Sequence, residues 1–282
     1  MNVPILNHAL RYEADTAFPR RVQTIFEWLD IQDDDRVLDC GCGRGFYLNF
    51  IRQLSDCQLI GVDIESAYLR IAQETVKHFD NVEVITANIY QLPFPDEHFD
   101  KVVLTEVLEH LADDYAALLE VARTLRPDGV IAVTVPNANY PFLWDPINKT
   151  LESLCGAHIS QGPLAGIWAN HIRLYDPFQL RSLVEGCGLI VEELRSFTHY
   201  AFPFIHNIVY GVGKPLLESG VLPTTIARTA DRSYLGDGGS MFDPVKFGLR
   251  LFYAIDRFNK MDEPPGRSTV NLCVKARKPC PP

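Results

Sequence analysis

The ten residues from Arg36 to Gly45, RVLDCGCGRG, constrain the fold of this 282-residue chain more than any other stretch. Val37 and Leu38 indicate a short buried strand, which runs directly into glycines that alternate at positions 41, 43 and 45. The apolar run that begins at Phe46 indicates the start of a helix. A strand, a glycine turn and a helix in this order are typical of a nucleotide-type site, because a residue without a Cβ lets the main chain approach a ligand closely.

The spacing of the glycines distinguishes between kinds of nucleotide site. A dinucleotide-binding turn of the G-x-G-x-x-G type needs its third glycine at position 46, where this chain has Phe46. A P-loop needs Gly-Lys-Ser/Thr, which the turn lacks. The pattern Asp39-x-Gly41-x-Gly43-x-Gly45 instead resembles the first motif of class I S-adenosylmethionine (SAM) dependent methyltransferases. A tight βα turn that binds no ligand is the alternative for the glycine run alone.

Three further stretches add to this resemblance. Asp63 ends a predicted second strand, 58–63, close to 20 residues beyond the glycines, where a carboxylate is expected to accept hydrogen bonds from two ribose hydroxyls. A helix N-cap is its alternative role. After a predicted third strand the family has an acid that contacts the adenine amino group; this chain has Asn88, whose carbonyl can accept the same bond. The stretch from Leu92 to Leu111, which contains a predicted fourth strand, also resembles the family.

The resemblance is to the UbiE/UbiG-like, methyltransferase type 11/23 group, and it covers about residues 36–197 and 268–276. It implies a doubly wound α/β fold with a seven-stranded, mostly parallel sheet whose last strand is antiparallel. It also implies SAM as the cofactor and S-adenosylhomocysteine as the product. The cofactor-binding residues that it predicts are Asp39, Gly41, Cys42, Gly43, Asp63, Ile64, Asn88, Ile89 and Glu106.

The chain is predicted to have three parts. Residues 1–35 form an N-terminal helical arm, and residues 36–197 with 268–282 form the SAM-binding core. Insertions at 137–170 and 198–267, rich in aromatic residues, are predicted to build a cap over the acceptor site. In the family that the chain resembles, a short hairpin normally joins the sixth and seventh strands, whereas about 70 residues lie between them here. A loop of that length needs structure or function of its own. An enlarged core and a face that rests on a membrane are the alternatives for these insertions.

The run from Glu106 to His110, E-x-x-E-H, follows the fourth strand. If the run is helical, Glu106, Glu109 and His110 share one face at the C-terminal edge of the sheet. His171 precedes a later helix. His110 and His171 are the predicted catalytic residues, each acting as a general base on an acceptor hydroxyl.

Two alternatives exist for the same residues. In the first they have only positional roles, with Glu106 near the methionine end of SAM. In the second they bind a divalent metal such as Mg²⁺ or Mn²⁺. The run resembles that of small-RNA 2′-O-methyltransferases and of quinone-precursor O-methyltransferases, but it also occurs in family members without metal, so no metal is expected. The alternative metal ligands are Glu106, Glu109, His110 and His171.

Composition narrows the class of acceptor. A net charge of −10 argues against sequence-independent binding of polyanions. A nucleic acid is therefore not expected as a partner, and 2′-O-methylation of RNA is less favoured than O-methylation of a small-molecule or lipid-like acceptor. A non-catalytic SAM-binding module is the alternative from a different class.

Seven scattered cysteines without a C-x-x-C pair indicate reduced thiols and a cytoplasmic location, with peripheral membrane contact as an extension. The N-terminus lacks a charged start followed by an apolar run, and no apolar stretch is long enough to span a membrane. No oligomeric state is predicted.

Overall fold

A computed structural model describes residues 15–204 and 244–280, together with residues 10, 13 and 207. For residues 244–249 it describes only the main chain. Most of the predicted N-terminal arm before residue 15 and the middle of the second predicted insertion, 205–243 apart from residue 207, lie outside the described residues.

The helices and strands alternate through the first half of the chain, as the glycine turn and the strand pattern predict. The strands are β1 (Arg36–Cys40), β2 (Gln58–Asp63), β3 (Val82–Thr86), β4 (Phe99–Thr105), β5 (Leu125–Pro136), β6 (Ile190–Phe197) and β7 (Asn271–Arg277). The helices are α1 (Ala17–Leu29), α2 (Phe46–Leu54), α3 (Ser66–Val76), α4 (Asp114–Thr124), α5 (Pro146–Cys155), α6 (Pro177–Gly186) and α7 (Pro244–Asp256). Two short 3₁₀ helices cover Leu108–His110 and Gly166–Trp168.

The seven strands form one sheet in the order β3-β2-β1-β4-β5-β7-β6. Pairs among β1 to β5 are parallel, whereas β7 is antiparallel to both of its neighbours. The predicted doubly wound fold with an antiparallel last strand is confirmed. The chain order reverses direction between β1 and β4, which places the carboxyl ends of β1 and β2 beside a crevice where such sheets bind ligands.

A hydrophobic cluster covers each face of the sheet because successive residues of a strand point to opposite sides. Val37 packs with helices α1, α2 and α3, whereas its neighbour Leu38 packs with α4 and α6. Both residues are fully buried. Helices on both faces therefore bury the parallel strands, as their near-continuous apolar sequences require.

The start of β5 differs from its prediction. The sequence predicts that Pro127-Asp128-Gly129 stops a helix and that a strand begins at Val130, but the strand begins at Leu125, directly after α4. The last carbonyls of α4 are consequently without a capping turn. The ammonium of Lys278 takes its place, because its Nζ donates to the carbonyl oxygens of Ala122 (3.1 Å) and Leu125 (2.8 Å).

The two predicted insertions meet at the carboxyl edge of the sheet. The main-chain N–H of Phe204 donates to the carbonyl of Leu143 over 3.0 Å, and the Asn139 side chain donates to the carbonyl of Gly266 over 3.5 Å. A third hydrophobic cluster joins both insertions to the start of α1; its buried members are Ala17, Tyr140, Trp144, Ile167, Ala201 and Val270. Among the helices of the described residues, none has the length and apolar character needed to cross a bilayer.

Lys278→Met is expected to destabilise the fold by about 1–3 kcal/mol, because it leaves part-buried carbonyls at the end of α4 without their donor. Urea unfolding followed by circular dichroism measures the change. Lys275→Met is the matched control on the same terminal segment. The Lys275 Nζ makes a salt bridge to Glu192 at 3.0 Å, and since solvent still reaches both side chains (20% and 27% exposed), this pair contributes roughly 0–1 kcal/mol. Equal losses in the two variants would contradict the capping role.

Candidate functional site

The main-chain N–H groups of the glycine turn donate hydrogen bonds to other atoms of the protein. Gly41 and Cys42 both donate to the carbonyl of Val62, at 2.8 and 2.9 Å, and Gly45 donates to the carbonyl of Cys42. Gly43 donates to the Asp63 carboxylate over 2.9 Å. These four N–H groups are thus unavailable as an anion cradle of the kind that a P-loop presents, so the turn is suited to a ligand without a phosphate at this point.

The three glycines of the turn have different structural roles. All have a positive φ, of +82° at Gly41, +52° at Gly43 and +81° at Gly45. A Cβ on Gly41 would meet Val107 at 2.4 Å, and one on Gly45 would meet Ala72 at 3.0 Å, so both glycines allow close packing within the chain. A Cβ on Gly43 would meet no atom within 4 Å. Gly43 therefore borders open space at the mouth of the crevice.

Asp63 lies opposite Gly43, at the end of β2. One carboxylate oxygen accepts from Gly43 and the other accepts from the main chain of Glu65 over 2.8 Å. The N-cap of α3 is Glu65, whose side chain accepts from Ala67, so the alternative N-cap role of Asp63 is not observed. Each Asp63 oxygen retains a further lone pair for a ligand hydroxyl.

Three more of the predicted cofactor-binding residues follow the ends of β2 and β3. Ile64, next to Asp63, has 71% of its surface exposed, which is unusual for a large apolar side chain. Asn88 is exposed, and its carbonyl oxygen accepts from the main chain of Tyr90 over 3.0 Å. Ile89 is half-buried.

Asp39 and Cys42 point inward beneath the turn. The Asp39 carboxyl is buried, and among the described residues its Oδ2 atom has no hydrogen-bond partner. Burial, with a smaller contribution from the Asp63 carboxylate, raises the pKa of Asp39 to about 8. The Cys42 sulfur packs toward Gly61, where a Cβ would lie 3.0 Å from it. Cys42 can therefore contribute only main-chain atoms to a ligand, whereas Asp39 is an unsatisfied acceptor below it.

The predicted helical face shared by Glu106, Glu109 and His110 is wrong at Glu106. It is not in a helix: it follows β4 with φ +54°, and the 3₁₀ helix begins only at Leu108. The left-handed conformation is strained for a residue other than glycine, and such strain concentrates at functional sites. Contacts on both carboxylate oxygens hold it: Thr134 Oγ1 donates to Oε1 over 2.9 Å, and Arg21 Nη1 lies 3.0 Å from Oε2.

Arg21 is a site residue that sequence reasoning missed. It lies on α1, and its side chain is 10% exposed where it meets Glu106. One signal was present in the sequence: Arg21 lies four positions before Ile25 and so shares the apolar face of α1, where a charged residue is unexpected unless it has a partner. The pair places a guanidinium and a carboxylate side by side next to the glycine turn.

Glu109, His110 and His171 come together, as the alternative metal set predicts for three of its four members. The Nε2 atoms of both histidines lie 3.9 Å from Glu109 Oε1, and the three ligand atoms all lie within 4.8 Å of one another. Glu109 is completely buried, and neither carboxyl oxygen has a hydrogen-bond partner among the described residues. Glu106, the fourth predicted ligand, is outside this group because Arg21 and Thr134 hold it.

Main-chain contacts orient this group. His110 Nδ1 lies 2.9 Å from the carbonyl oxygen of Asn170, so in the neutral ring Nδ1 carries the proton and Nε2 presents a lone pair toward Glu109. The N–H of Ile172 donates to the carbonyl of Glu109 over 3.0 Å. Burial, and then the Glu106 carboxylate, raise the pKa of Glu109 well above its ordinary value.

The three side chains fit a divalent metal ion by their chemistry. Two imidazole nitrogens and one carboxylate are a known set of protein ligands for divalent transition metals. The hydrogen bond from the other nitrogen of His110 to a carbonyl is the usual support for a metal-binding histidine. Separations of 3.9 Å are somewhat wider than the roughly 3–3.4 Å expected between neighbouring ligands that lie about 2.1 Å from one ion.

Comparisons with known proteins find similarity over the region that holds the glycine turn, Asp63 and the run from Glu106 to His110. Residues 38–133 match the sequence profile of the family described as "Methyltransferase domain". Methyltransferase GfsG from Streptomyces halstedii is 29% identical over 239 residues, which are 83% of this chain and 79% of that protein. The O-methyltransferase rstn1 from Aspergillus nomiae is 32% identical over 42% of this chain and 54% of its own length.

Other relatives match over a shorter region. The chain spans about two fifths of the length of the first three curated relatives, which are 34–35% identical to it. Among solved structures, the 4+2 cyclase SpnF superposes with a TM-score of 0.57 at 15% identity, over 93% of this chain and 82% of that one. This likeness is one of fold alone.

The stability of the ligand-free protein is expected to decrease as the pH rises from about 4 toward about 8, because Asp39 keeps its proton in the folded state while an unfolded aspartate loses it near 3.9. In that window the folded state binds more protons than the unfolded state, so raising the pH favours unfolding. Urea unfolding of wild type and Asp39→Asn across this window measures the effect. The variant, which cannot ionise, should show a shallower decline; parallel pH curves would contradict the raised pKa.

Proposed function

We propose that the chain is a class I, SAM-dependent methyltransferase, which transfers the methyl group of SAM to an oxygen atom of a small-molecule or lipid-like acceptor. The match of residues 38–133 to the methyltransferase-domain family supports this proposal. The observation that carries the proposal is the open crevice at Gly43. Asp63 borders it on one side and the Arg21–Glu106 pair lies on the other, which suits a ligand with a ribose at one end and an amino acid at the other.

The adenosine end has its partners on β2 and after β3. The free lone pairs of Asp63 suit two ribose hydroxyls, and a charge-assisted bond of this kind contributes about 1.5–3 kcal/mol. Burial against an adenine ring would account for the exposure of Ile64, which is otherwise an isolated apolar side chain in solvent. Ile89 suits the opposite face of the ring, and Asn88 is in position for its amino group.

The methionine end of SAM carries an ammonium and a carboxylate, and the Arg21–Glu106 pair proposed to bind it also carries one positive and one negative charge. The α-ammonium of SAM needs acceptors, which Glu106 and the unpartnered Oδ2 of Asp39 supply. The α-carboxylate needs a donor, which Arg21 supplies from α1. The acids around the turn also favour the positively charged sulfonium, which a neutral thioether lacks.

The transfer step requires placement and proton removal more than covalent help. The acceptor O–H loses its proton to an imidazole Nε2, the oxygen attacks the methyl carbon, and the carbon–sulfur bond breaks as the sulfur becomes a neutral thioether. His171, half-buried beside Glu109, and His110, more exposed, are the proposed bases. Glu109, 3.9 Å from both Nε2 atoms, would favour the resulting imidazolium only in its ionised form, which its raised pKa disfavours, so the imidazolium passes its proton to solvent.

Exposed apolar side chains of the predicted cap support the proposed acceptor class. The hydrophobic cluster beneath them is buried and joins the two insertions, so it supports the cap without itself reaching an acceptor. Phe142 and Leu143 of the first insertion are exposed on this cap, which supports a lipid-like acceptor or peripheral contact with a membrane. The net charge of −10 disfavours RNA. The name of the relative rstn1 supports transfer to oxygen.

The cytoplasmic location and membership of the UbiE/UbiG-like group within the family stay predictions. A non-catalytic SAM-binding module is the alternative from another class. Binding of SAM without turnover across a broad panel of hydroxylated acceptors would favour it.

Gly43→Ala is expected to weaken binding of S-adenosylhomocysteine at least tenfold, because its new methyl group would occupy the open space that the ligand needs. Isothermal titration calorimetry measures the dissociation constant. The matched control is Gly156→Ala, at the end of α5, where φ is +67° and a Cβ also meets no atom within 4 Å. It carries the same backbone strain far from the crevice, so equal affinity losses would argue against the site.

A second candidate function is metal-assisted O-methylation, which the buried and unpartnered Glu109 carboxyl favours. Glu109, His110 and His171 would hold the ion. A bound divalent cation would supply Lewis acidity, lowering the pKa of an acceptor hydroxyl near it.

Cobalt(II) titrated into the ligand-free protein is expected to give visible d–d absorption if this second candidate is correct. Glu109→Gln should abolish the absorption. His158→Gln is the control: this histidine belongs to the same cap, but it stacks on Trp168 at 3.7 Å and is not in the donor group. The absence of absorption in wild type, or full methyl transfer after exhaustive chelation, would leave the histidines acting without metal.

A further inference from the structure

The buried carboxylate of Asp145 ties two distant parts of the first insertion together. Asp145 is completely buried at the N-cap of α5, where Oδ1 accepts from the main chain of Asn148 over 3.1 Å. Its other oxygen, Oδ2, accepts from the main chain of Ile167 over 3.0 Å. One carboxylate therefore caps a helix and anchors the loop that follows that helix.

Asn148 extends this tie to the rest of the loop. Its side chain is buried, and Nδ2 donates to Asp145 Oδ2 over 2.8 Å and to the carbonyl of Ala165 over 2.9 Å. Its Oδ1 accepts from the main chain of Ile159 over 2.6 Å. The segment 159–167 is thus fixed at both ends to the first turn of α5.

The close approach of the loop to Asp145 leaves no room for a side chain at Gly166. Its φ is +55°, and a Cβ on it would lie 1.7 Å from Asp145 Oδ2. No side chain fits there without displacing either the carboxylate or the loop. By contrast, Gly162 in the same loop has φ +77° and open space where its Cβ would lie.

The anchored loop leads directly into the histidine site. Gly166 and Ile167 begin the 3₁₀ turn that ends at Trp168, whose carbonyl accepts from the N–H of His171 over 3.1 Å. Asn170, which directly precedes His171, has φ +63°, and its carbonyl oxygen lies 2.9 Å from His110 Nδ1. Only three to five residues therefore separate the Asp145 anchor from the contacts with Glu109 and His110.

We propose that Asp145 is a positioning residue, which sets the placement of His171 and the orientation of His110 by anchoring the loop at Gly166. The proposal rests on the proposed function, in which these histidines serve the acceptor. Asp145 does not itself touch a reacting atom. Its effect reaches the site through the rigid turn 166–168, and a displacement of about 1 Å at a catalytic group is enough to reduce turnover by about 100-fold.

Gly166→Ala and Gly162→Ala in the full chain test the proposal. Histidine side-chain ¹⁵N NMR follows the imidazole signals, which His110→Gln and His171→Gln assign. Gly166→Ala should shift the His110 and His171 signals, because the new methyl group forces the loop off Asp145. Gly162→Ala carries comparable backbone strain without the clash and should leave both signals in place. Unmoved signals in Gly166→Ala, or equal movements in the two variants, would overturn the proposal.

A second measurement separates this proposal from the proposed function. Affinity for S-adenosylhomocysteine should be unchanged in both variants, since Gly43 and Asp63 lie on other elements. Failure of the wild-type chain to bind this ligand would refute the proposed function, while the NMR signals would still decide the positioning role.

If Gly166→Ala does not fold, Asp145→Ala decides. Alanine has no side-chain acceptor, so the tie to Ile167 is lost and the His171 signal should move. A His171 signal identical to that of wild type would overturn the proposal.

Discussion

The carboxylate of Asp63 fixes the geometry on which the whole crevice depends. It accepts hydrogen bonds from Gly43 on the glycine turn and from Glu65 at the start of α3, so it holds two loops at a set spacing. The parallel register of β1 and β2, with Cys40 beside Val62, brings those loops together. Gly61 makes this register compatible with α2, because a Cβ there would lie 2.5 Å from Leu48. The crevice is consequently formed before any ligand arrives.

The charges around the glycine turn are partly compensated within the protein. Arg21 pairs with Glu106 at 3.0 Å, and burial raises the pKa of Asp39 to about 8, so the Asp39 carboxyl is largely protonated at neutral pH. Asp63 instead accepts two main-chain hydrogen bonds. The proposed function uses these acids as partners for the ammonium and the sulfonium of SAM.

The glycine turn and the position of Asp63 beside it were predictable from sequence because their determinants are local. The glycine spacing, the acid at the end of β2 and the strand pattern lie within about 30 residues of one another, and parallel strands bring their carboxyl ends to one edge. Arg21 was missed because its partner, Glu106, is 85 positions away in the sequence. The helical face assumed for Glu106, Glu109 and His110 was wrong because Glu106 has a left-handed backbone, which the residue type does not reveal. The sequence placed Glu109, His110 and His171 together only in the metal-binding alternative. Their proximity depends on how the first insertion, 137–170, folds, and the sequence pattern does not reveal that fold.

Two strained residues connect the halves of the site. Glu106 and Asn170 both have positive φ without being glycine, and they stand at the start of the two segments that meet at Glu109. Strain of this kind persists only where several contacts enforce it. Thr134 and Arg21 hold Glu106, and the contact of the Asn170 carbonyl with His110 helps to hold Asn170. The five residues from Glu106 to His110 therefore form a short connection between the Arg21–Glu106 pair on one side and the group of Glu109, His110 and His171 on the other.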